Sequence, residues 1–361
     1  MKARWYRHRL QFKETAITSR ERLDFKTTYI LELWDEDNPE VKGVGEVALF
    51  ESLSKEAGPG FECRLDEVVN GINRGADASC CRWTNEACVP AQSQIKESSI
   101  LFGLETALAS LDAGGGHELW PSAFTRGEEP IRINGLVWMG DYRQMRERIG
   151  KKLDEGFGCV KLKIGGIAFD DEVELLRMIR RDYGRNDLEL RLDANGSFTP
   201  ENALERLGRL SEYDIHSLEQ PIKAGQAEEM MRIIEKSPIA IALDEELTGT
   251  RSREEKAALL DEINPAYIVL KPSLAGGLAH SKEWIDLARD NGTGWWITSA
   301  LESNIGLNAL AQFVALQNPA MPQGLGTGEL YVENFPSPLR REGEKSWYGR
   351  PGLRGRCVCR F

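Results

Sequence analysis

Two hydrophobic rhythms divide the chain. From about residue 2 to 50, apolar and polar positions alternate in stretches such as Tyr29-Ile-Leu-Glu-Leu-Trp34 and Gly43-Val-Gly-Glu-Val-Ala48, separated by the polar turn Asp35-Glu-Asp-Asn-Pro39. A period of two predicts half-buried strands, and the short polar breaks predict an antiparallel meander. Between residues 93 and 112 the spacing becomes helical, with Ile100, Leu104, Leu108 and Leu111 on one face, and Gly114-Gly-Gly116 stops the helix. A small α+β domain is expected over residues 1–120, with a flexible joint near 114 to 130.

Beyond the joint, short β-rich runs alternate with amphipathic helical runs, the pattern of a parallel sheet. The runs are Ile131 to Trp138, Cys159 to Ile164, Leu188 to Asp193, Ser217 to Gln220, Ile239 to Asp244, Tyr267 to Lys271, Trp295 to Ser299, and a weak last one near Gln323 to Thr327. Such a series closes a barrel, here over residues 121–328. One helix is predicted with Thr199 as N-cap and Pro200 at its first helical position, ahead of Leu204, Leu207 and Leu210; others fit 172 to 182, 226 to 236, 252 to 262, 279 to 290 and 305 to 316. The tail, 329–361, has no helical period and is expected to return to the N-terminal domain.

Charged residues sit where these runs end. Lys163, Asp193, Glu219, Asp244 and Lys271 follow one another at intervals of about 25 to 30 residues, one strand, one helix and two loops each. At the C-terminal tips of successive barrel strands they converge on one mouth, where barrels of this kind carry their chemistry. Three carboxylates on neighbouring strands repel one another unless a cation joins them, and hard oxygen donors without His or Cys suit Mg2+, with Mn2+ as a substitute. Taken singly, each carboxylate could instead cap the helix that follows it.

Lys161 and Lys163 are two residues apart and share a face of their strand. Facing the outer helices, both ammonium groups would be buried among apolar side chains, so they are expected to face the barrel interior. There, each other's charge and a divalent cation would disfavour the ammonium form of Lys163 and make it a usable base near neutral pH. Lys271 is expected across the barrel, giving a planar ligand an amine on each side.

Bulk composition narrows the partners. The 361 residues suffice for a barrel of about 250 residues and one smaller domain. A net charge of -11, with no basic stripe, argues against nucleic acid, and no apolar run approaches the ~20 residues of a membrane helix. A soluble, cytoplasmic protein acting on a small-molecule carboxylate is expected. The seven cysteines, Cys63, Cys80, Cys81, Cys88, Cys159, Cys357 and Cys359, form no Cys-x-x-Cys pair and are read as structural thiols in a reducing compartment. His8, His117, His216 and His280 lack ligand spacing, and Trp295 and Trp296 read as core. Gly324-Leu-Gly-Thr-Gly328, ending the last run, is placed to offer backbone contacts to an acidic group.

With these residues in hand, the chain resembles the enolase superfamily, muconate-lactonizing subgroup, and within it the o-succinylbenzoate synthases. Lys161-Leu-Lys163, Asp193-Ala-Asn195, Leu218-Glu-Gln-Pro221, Asp244-Glu245 and Lys271-Pro272 reproduce the superfamily's strand-end motifs in order. The segment Ser299-Ala-Leu-Glu-Ser-Asn-Ile-Gly306 is similar to the synthases' version of the seventh-strand motif, where racemase relatives carry a Met-Glu-Thr-Gly type. The resemblance implies an α/β fold, a (β/α)7β TIM-like barrel under an α+β capping domain formed by the N-terminal region and the C-terminal tail. It implies Asp193, Glu219 and Asp244 as Mg2+ ligands, Lys163 as acid and base, Lys271 as the cation opposite, and Lys161, Asn195 and Ser299 in support. Loops near Thr18 to Asp24 and Phe50 to Ser54 would close over the substrate, and Gly349-Arg-Pro-Gly-Leu353 is similar to the family's Pro-Gly-Leu-Gly ending, with Arg354 in place of glycine. The implied reaction is a syn dehydration giving o-succinylbenzoate for menaquinone biosynthesis. The residues alone leave open an N-acylamino acid racemase or dipeptide epimerase, a Schiff-base aldolase and a non-catalytic binding module.

Overall fold

The computed structural model describes residues 1–17, 21–85, 94–249 and 251–349. Residues 18–20 of the first expected lid loop, Cys88, Cys357, Cys359 and the ending from Arg350 onward lie outside the described residues. The N-terminal meander forms as expected: β1 (Lys2–Ile17), β2 (Arg22–Asp35) and β3 (Asn38–Val47) make one antiparallel sheet. Two helices, α1 (Phe61–Asn73) and α2 (Ser98–Asp112), cover one face of it. α1 has no counterpart among the elements predicted from the sequence, although Leu65, Val68, Val69 and Ile72 give it an apolar stripe. The contact of α2 with β3 is backbone on backbone. A Cβ at Gly43 or Gly45 would lie 2.1 Å from the carbonyl oxygen of Ala107 or Gly103, so only glycine permits this approach.

Next come β4 (Ile131–Arg132), β5 (Gly135–Val137), α3 (Tyr142–Asp154), β6 (Cys159–Lys163), α4 (Phe169–Asp182), β7 (Glu189–Asp193), α5 (Ala203–Leu210), β8 (Ile215–Glu219), α6 (Ala227–Lys236), β9 (Ile241–Leu243), α7 (Arg253–Ile263), β10 (Tyr267–Leu270), α8 (Gly277–Asp290), β11 (Gly294–Ile297), α9 (Asn304–Leu316), β12 (Leu339–Glu342) and β13 (Lys345–Tyr348). β5 to β11 form a curled, parallel seven-stranded sheet in sequential order. Their outward side chains, such as Val160, Leu162, Leu190, Leu192 and Leu218, pack on the surrounding helices in one continuous core. Each such side chain, removed from water, contributes roughly 1.5–3 kcal/mol.

Four expectations are corrected. The run from Ile131 to Trp138 is split: β4 pairs with β13 outside the barrel, and only β5 joins the barrel sheet. The last run is not a strand. Gln323 bridges to Ile133 and Gly324 to Thr298, so two residues close the circle, and β5 has no strand beyond it on that side among the described residues. The helix expected at Pro200 starts at Ala203, because Thr199 and Asn202 are held in a preceding turn in which Asn202 Oδ1 accepts from the Thr199 N–H. The tail, expected to return to the N-terminal domain, divides: 330–332 runs along β1, whereas the β12–β13 hairpin adds to β4. α3, also without a sequence-derived counterpart, is well signed by its Asp141 and Gln144 capping box. No described helix is long and apolar enough to cross a membrane.

Two buried glutamates of the N-terminal domain cap barrel helices. Glu46 on β3 accepts from the N–H groups of Ser303 and Gly306 at the start of α9, both at 2.9 Å, and from the hydroxyls of Ser303 and Thr28 at 2.6 and 2.7 Å. Glu105 on α2 accepts from the N–H groups of Leu278 and Ala279 at the start of α8. A carboxylate at a helix N-terminus meets unpaired N–H groups and the positive end of the dipole. Burial nevertheless dominates at Glu105, which is pushed up to about 8 against the opposing pull of those two N–H groups. Folded Glu105 therefore keeps a proton that an unfolded glutamate releases near its ordinary 4.5, and stability falls as pH rises through that interval. Thermal melts of the wild type and Glu105→Gln from pH 5 to 8.5 are expected to show the wild type losing ground to the variant by several degrees as pH rises; a constant difference would contradict this.

Candidate active site

The parallel register stacks the functional side chains in layers. Lys163 on β6 pairs with Asp193 on β7, and Asp193 with Glu219 on β8, so these three lie side by side at the mouth. One layer below, Lys161, Arg191 and Ser217 are matched in the same way. Side chains two apart share a face of a strand, so one register sets both layers. Asp244 follows β9 and Lys271 follows β10. Below them Ala242, Val269 and Trp296 plug the barrel. Arg191, 1% exposed, stacks 4.4 Å from the Trp296 ring and donates to the Pro322 carbonyl at 2.9 Å.

The mouth is a lattice of alternating charge. Lys161 Nζ lies 2.9 Å from Asp193 Oδ2 and 2.6 Å from Glu219 Oε2. Lys163 Nζ donates to Asp193 Oδ2 at 2.9 Å and to Asn195 Oδ1 at 2.7 Å, and Lys271 pairs with Asp244 Oδ2. Burial works against the ammonium of Lys161, but Asp193 and then Glu219 outweigh it and hold its pKa above the usual lysine range. Lys271 is raised in the same way, burial being outweighed chiefly by Asp244 and Glu245. Asp193 is depressed far below an ordinary carboxylate: burial opposes ionisation, and Lys161, Lys163 and Lys271 overcome it. Glu219 goes the other way, raised by burial and by the neighbouring charge of Asp193. Its Oε1 is buried with no hydrogen-bond partner among the described residues. Among the described residues no three His, Cys, Asp or Glu side chains already surround a single cation position. Ammonium groups occupy the space between the carboxylates instead.

Left-handed backbone re-aims the chain at the strand ends. Asn195 and Gln220, immediately beyond the β7 tip and β8, have φ of 46° and 42°. Non-glycine residues adopt such angles only under local constraint. Gln220 supplies part of it, accepting from the Asp244 N–H at 3.1 Å and donating to the Ile222 carbonyl at 3.0 Å. Leu301, with φ of 64°, is the third instance near the site. Its carbonyl is held by the Tyr331 hydroxyl at 2.6 Å and by Lys26 Nζ at 3.0 Å. Lys26 also donates to the Ala300 carbonyl at 3.0 Å. Beside these, Ser299 donates to Glu302, which also accepts from Ser273 at 2.6 Å.

A cavity of about 80 Å3 opens on this lattice, lined by Lys161, Lys163, Asp193, Asn195, Lys271 and Ser299, with Trp138 and Leu301 on its apolar side. Phe50, Ser52 and Leu53 from one expected lid loop and Glu21 from the other line it too, and Ser52 hydrogen-bonds Glu21. Six of the eight side chains proposed from the sequence thus line one cavity, and Glu219 and Asp244 join them through Lys161 and Lys271. The sequence-level reading missed Lys26 and Asn134, and reached Leu301 and Thr327 only as members of the Ser299–Gly306 and Gly324–Gly328 segments. Their contacts join residues far apart in the chain, and only the isolated Lys in an otherwise alternating strand marked Lys26. Of the cysteines, Cys63, Cys80 and Cys159 are free thiols.

Comparison with known proteins agrees with this geometry. The sequence model of the family described as enolase C-terminal domain-like matches residues 144–352. An o-succinylbenzoate synthase of Desulfotalea psychrophila is 46% identical, covering 95% of this chain and 98% of that protein. An o-succinylbenzoate synthase of Yersinia pseudotuberculosis is 27% identical over 90% of each. The crystal structure of MenC from Desulfotalea psychrophila superposes with a TM-score of 0.84 at 41% identity, covering 96% of this chain and 99% of that one. A muconate lactonizing enzyme from Pseudomonas fluorescens, at 21% identity and a TM-score of 0.77, shares the fold; 98% of this chain and 95% of that one are covered. The chain belongs to the enolase superfamily, with the N-terminal antiparallel capping domain and curled parallel barrel sheet of that family.

Lys26 joins the N-terminal domain to the wall of the cavity, and its removal strips donors from two buried carbonyls. Lys26→Met is expected to lower unfolding free energy by about 1–3 kcal/mol in urea titrations; an unchanged midpoint would show that the two carbonyl contacts carry no stability.

Proposed function

We propose that the protein is an o-succinylbenzoate synthase, removing water from 2-succinyl-6-hydroxy-2,4-cyclohexadiene-1-carboxylate. One observation carries the reading: Lys163 and Lys271, about a hundred residues apart in the chain, line a single cavity together with Asp193. Its support beyond geometry is the 46% identity to a synthase along nearly the whole chain.

Asp193, Glu219 and Asp244 fit a Mg2+ ion. The orphaned Glu219 Oε1 needs a positive partner, and the like charge of Asp193 beside it is relieved by one. Bound there, Mg2+ would supply Lewis-acid stabilisation of negative charge on a substrate carboxylate. The residues do the rest. Lys163, as the free amine, takes the proton from the ring carbon that bears the carboxylate. A lysine base of this kind is general among enolase-superfamily sites. The electron pair moves onto the carboxylate oxygens, where the Lys271 ammonium faces it, an electrostatic contribution of several kcal/mol in a site shielded from water. The Lys163 ammonium then returns its proton to the hydroxyl departing from the same face, giving water and an aromatic ring. Asn195 orients Lys163 through its 2.7 Å contact, and Trp138, 5.8 Å from Lys163 Nζ, walls off solvent.

An ultraviolet assay of o-succinylbenzoate formation is the test. Lys163→Ala is expected to lower kcat/KM by about a thousandfold or more, with far-ultraviolet circular dichroism unchanged, and a near-normal rate would refute the base assignment. Chelation of divalent ions should abolish turnover and added Mg2+ restore it; activity that survives thorough chelation would remove the ion from the reading.

A further inference from the structure

Beside β5 the barrel wall is closed by only two bridging residues among those described, which makes this seam a potential window. Gln323 and Gly324 bridge to Ile133 and Thr298, but the chain then turns away at 326–329 and no strand follows β5 on that side among the described residues. Through the gap the catalytic cavity of about 80 Å3 adjoins a second one of about 410 Å3 between the end of β1, α3 and the 326–330 turn. The two share Asn134, Leu136, Trp138, Gly326 and Thr327 as a common wall.

Two of those residues are polar, buried and unsatisfied. Asn134 is 3% exposed and Thr327 4%. Asn134 Oδ1 and Thr327 Oγ1 have no hydrogen-bond partner among the described residues. Leaving such groups unpaired costs stability, and an isosteric apolar residue would avoid the cost. Groups of this kind on a cavity wall are complementary to a ligand. The Thr327 hydroxyl can donate, and Asn134, whose orphan atom is the acceptor Oδ1, presents an N–H at that position when its amide is turned over; in that orientation the pair suits a carbonyl or carboxylate oxygen. Beyond the window the second cavity is lined by Lys13, Arg148, Lys151, Lys152 and Arg341 against Glu14, Glu155 and Glu329; Arg148, Lys152 and Arg341 are paired with those carboxylates, and the remaining excess of positive charge favours an anionic terminus there.

We propose that Asn134 and Thr327 are specificity-determining residues that hydrogen-bond an oxygen on the substrate's oxo-acid side arm as it passes through the window into the second cavity. The proposal rests on the synthase reading, which supplies an arm with a ketone and a terminal carboxylate. The ring and its carboxylate stay at the lysines and acids of the inner cavity. Room decides the direction of the arm, because the larger space lies past Asn134 and Thr327.

Calorimetric binding of o-succinylbenzoate and of benzoate, which has no arm, tests it on the Mg2+-supplemented wild type, Asn134→Leu and Thr327→Val. Each variant is expected to weaken o-succinylbenzoate about fivefold to tenfold while leaving benzoate within about twofold. The melting temperature of the ligand-free variants should hold or rise, since an unpaired buried polar group has been removed, whereas a structural role predicts a fall. Equal binding of o-succinylbenzoate by wild type and variants, equal weakening of both ligands, or a wild type that prefers benzoate would each overturn the proposal. Turnover by the wild type separates the two readings. A wild type that makes o-succinylbenzoate while the variants bind it normally leaves the synthase standing and removes the window; a wild type that binds it selectively without making it does the reverse.

Discussion

The constraint on which the site depends is a register of like charges. Parallel strands lie about 4.8 Å apart, and the pairing of Lys163, Asp193 and Glu219 places two carboxylates on adjacent strands at one level. In a buried setting that arrangement survives only with compensating positive charge. Lys161 bridges Asp193 and Glu219, Lys163 holds Asp193, and Lys271 holds Asp244. Compensation is incomplete at Glu219, whose second oxygen has no partner among the described residues. The imbalance marks where additional positive charge is stabilised.

A scaffold able to hold this lattice must be stiff on several sides. Arg191 stacked on Trp296 and bonded to Pro322 fixes the layer beneath. The left-handed residues Asn195, Gln220 and Leu301 turn the chain sharply at the rim. From above, the N-terminal domain reaches the barrel through Glu46, Glu105 and Lys26, each buried and each bonded to barrel backbone. The segments that line the cavity from the N-terminal side, Glu21 and Phe50 to Leu53, are therefore joined to strands anchored on the same helices and wall that carry the site.

Much of this is legible in the sequence alone. The succession of hydrophobic runs defines a barrel, and charged residues at their ends define its mouth, because strand periodicity and strand-end position are local properties. Legibility fails where an element is made by partners far away. β4 and β5 read as one run because nothing in Ile131 to Trp138 announces that β13 captures the first half. The eighth position reads as a weak strand, since Gln323 to Thr327 has the composition of one but only two bridging residues. Thr199 looks like an N-cap, yet its hydrogen bonding to Asn202 places the helix start later. Glu105 and Asn134 carry no pattern of their own, and Lys26 only its isolation in an alternating strand; their meaning comes from carbonyls, helix ends and cavities contributed by distant segments.

The central claim, that the acids of this mouth are arranged for one divalent cation, is tested most directly by Mg2+ titration calorimetry on the substrate-free protein and on Glu219→Gln. One equivalent of Mg2+ bound by the wild type, and binding weakened at least tenfold in the variant, is the expected result. Identical Mg2+ binding by both proteins, or none by the wild type, would contradict it.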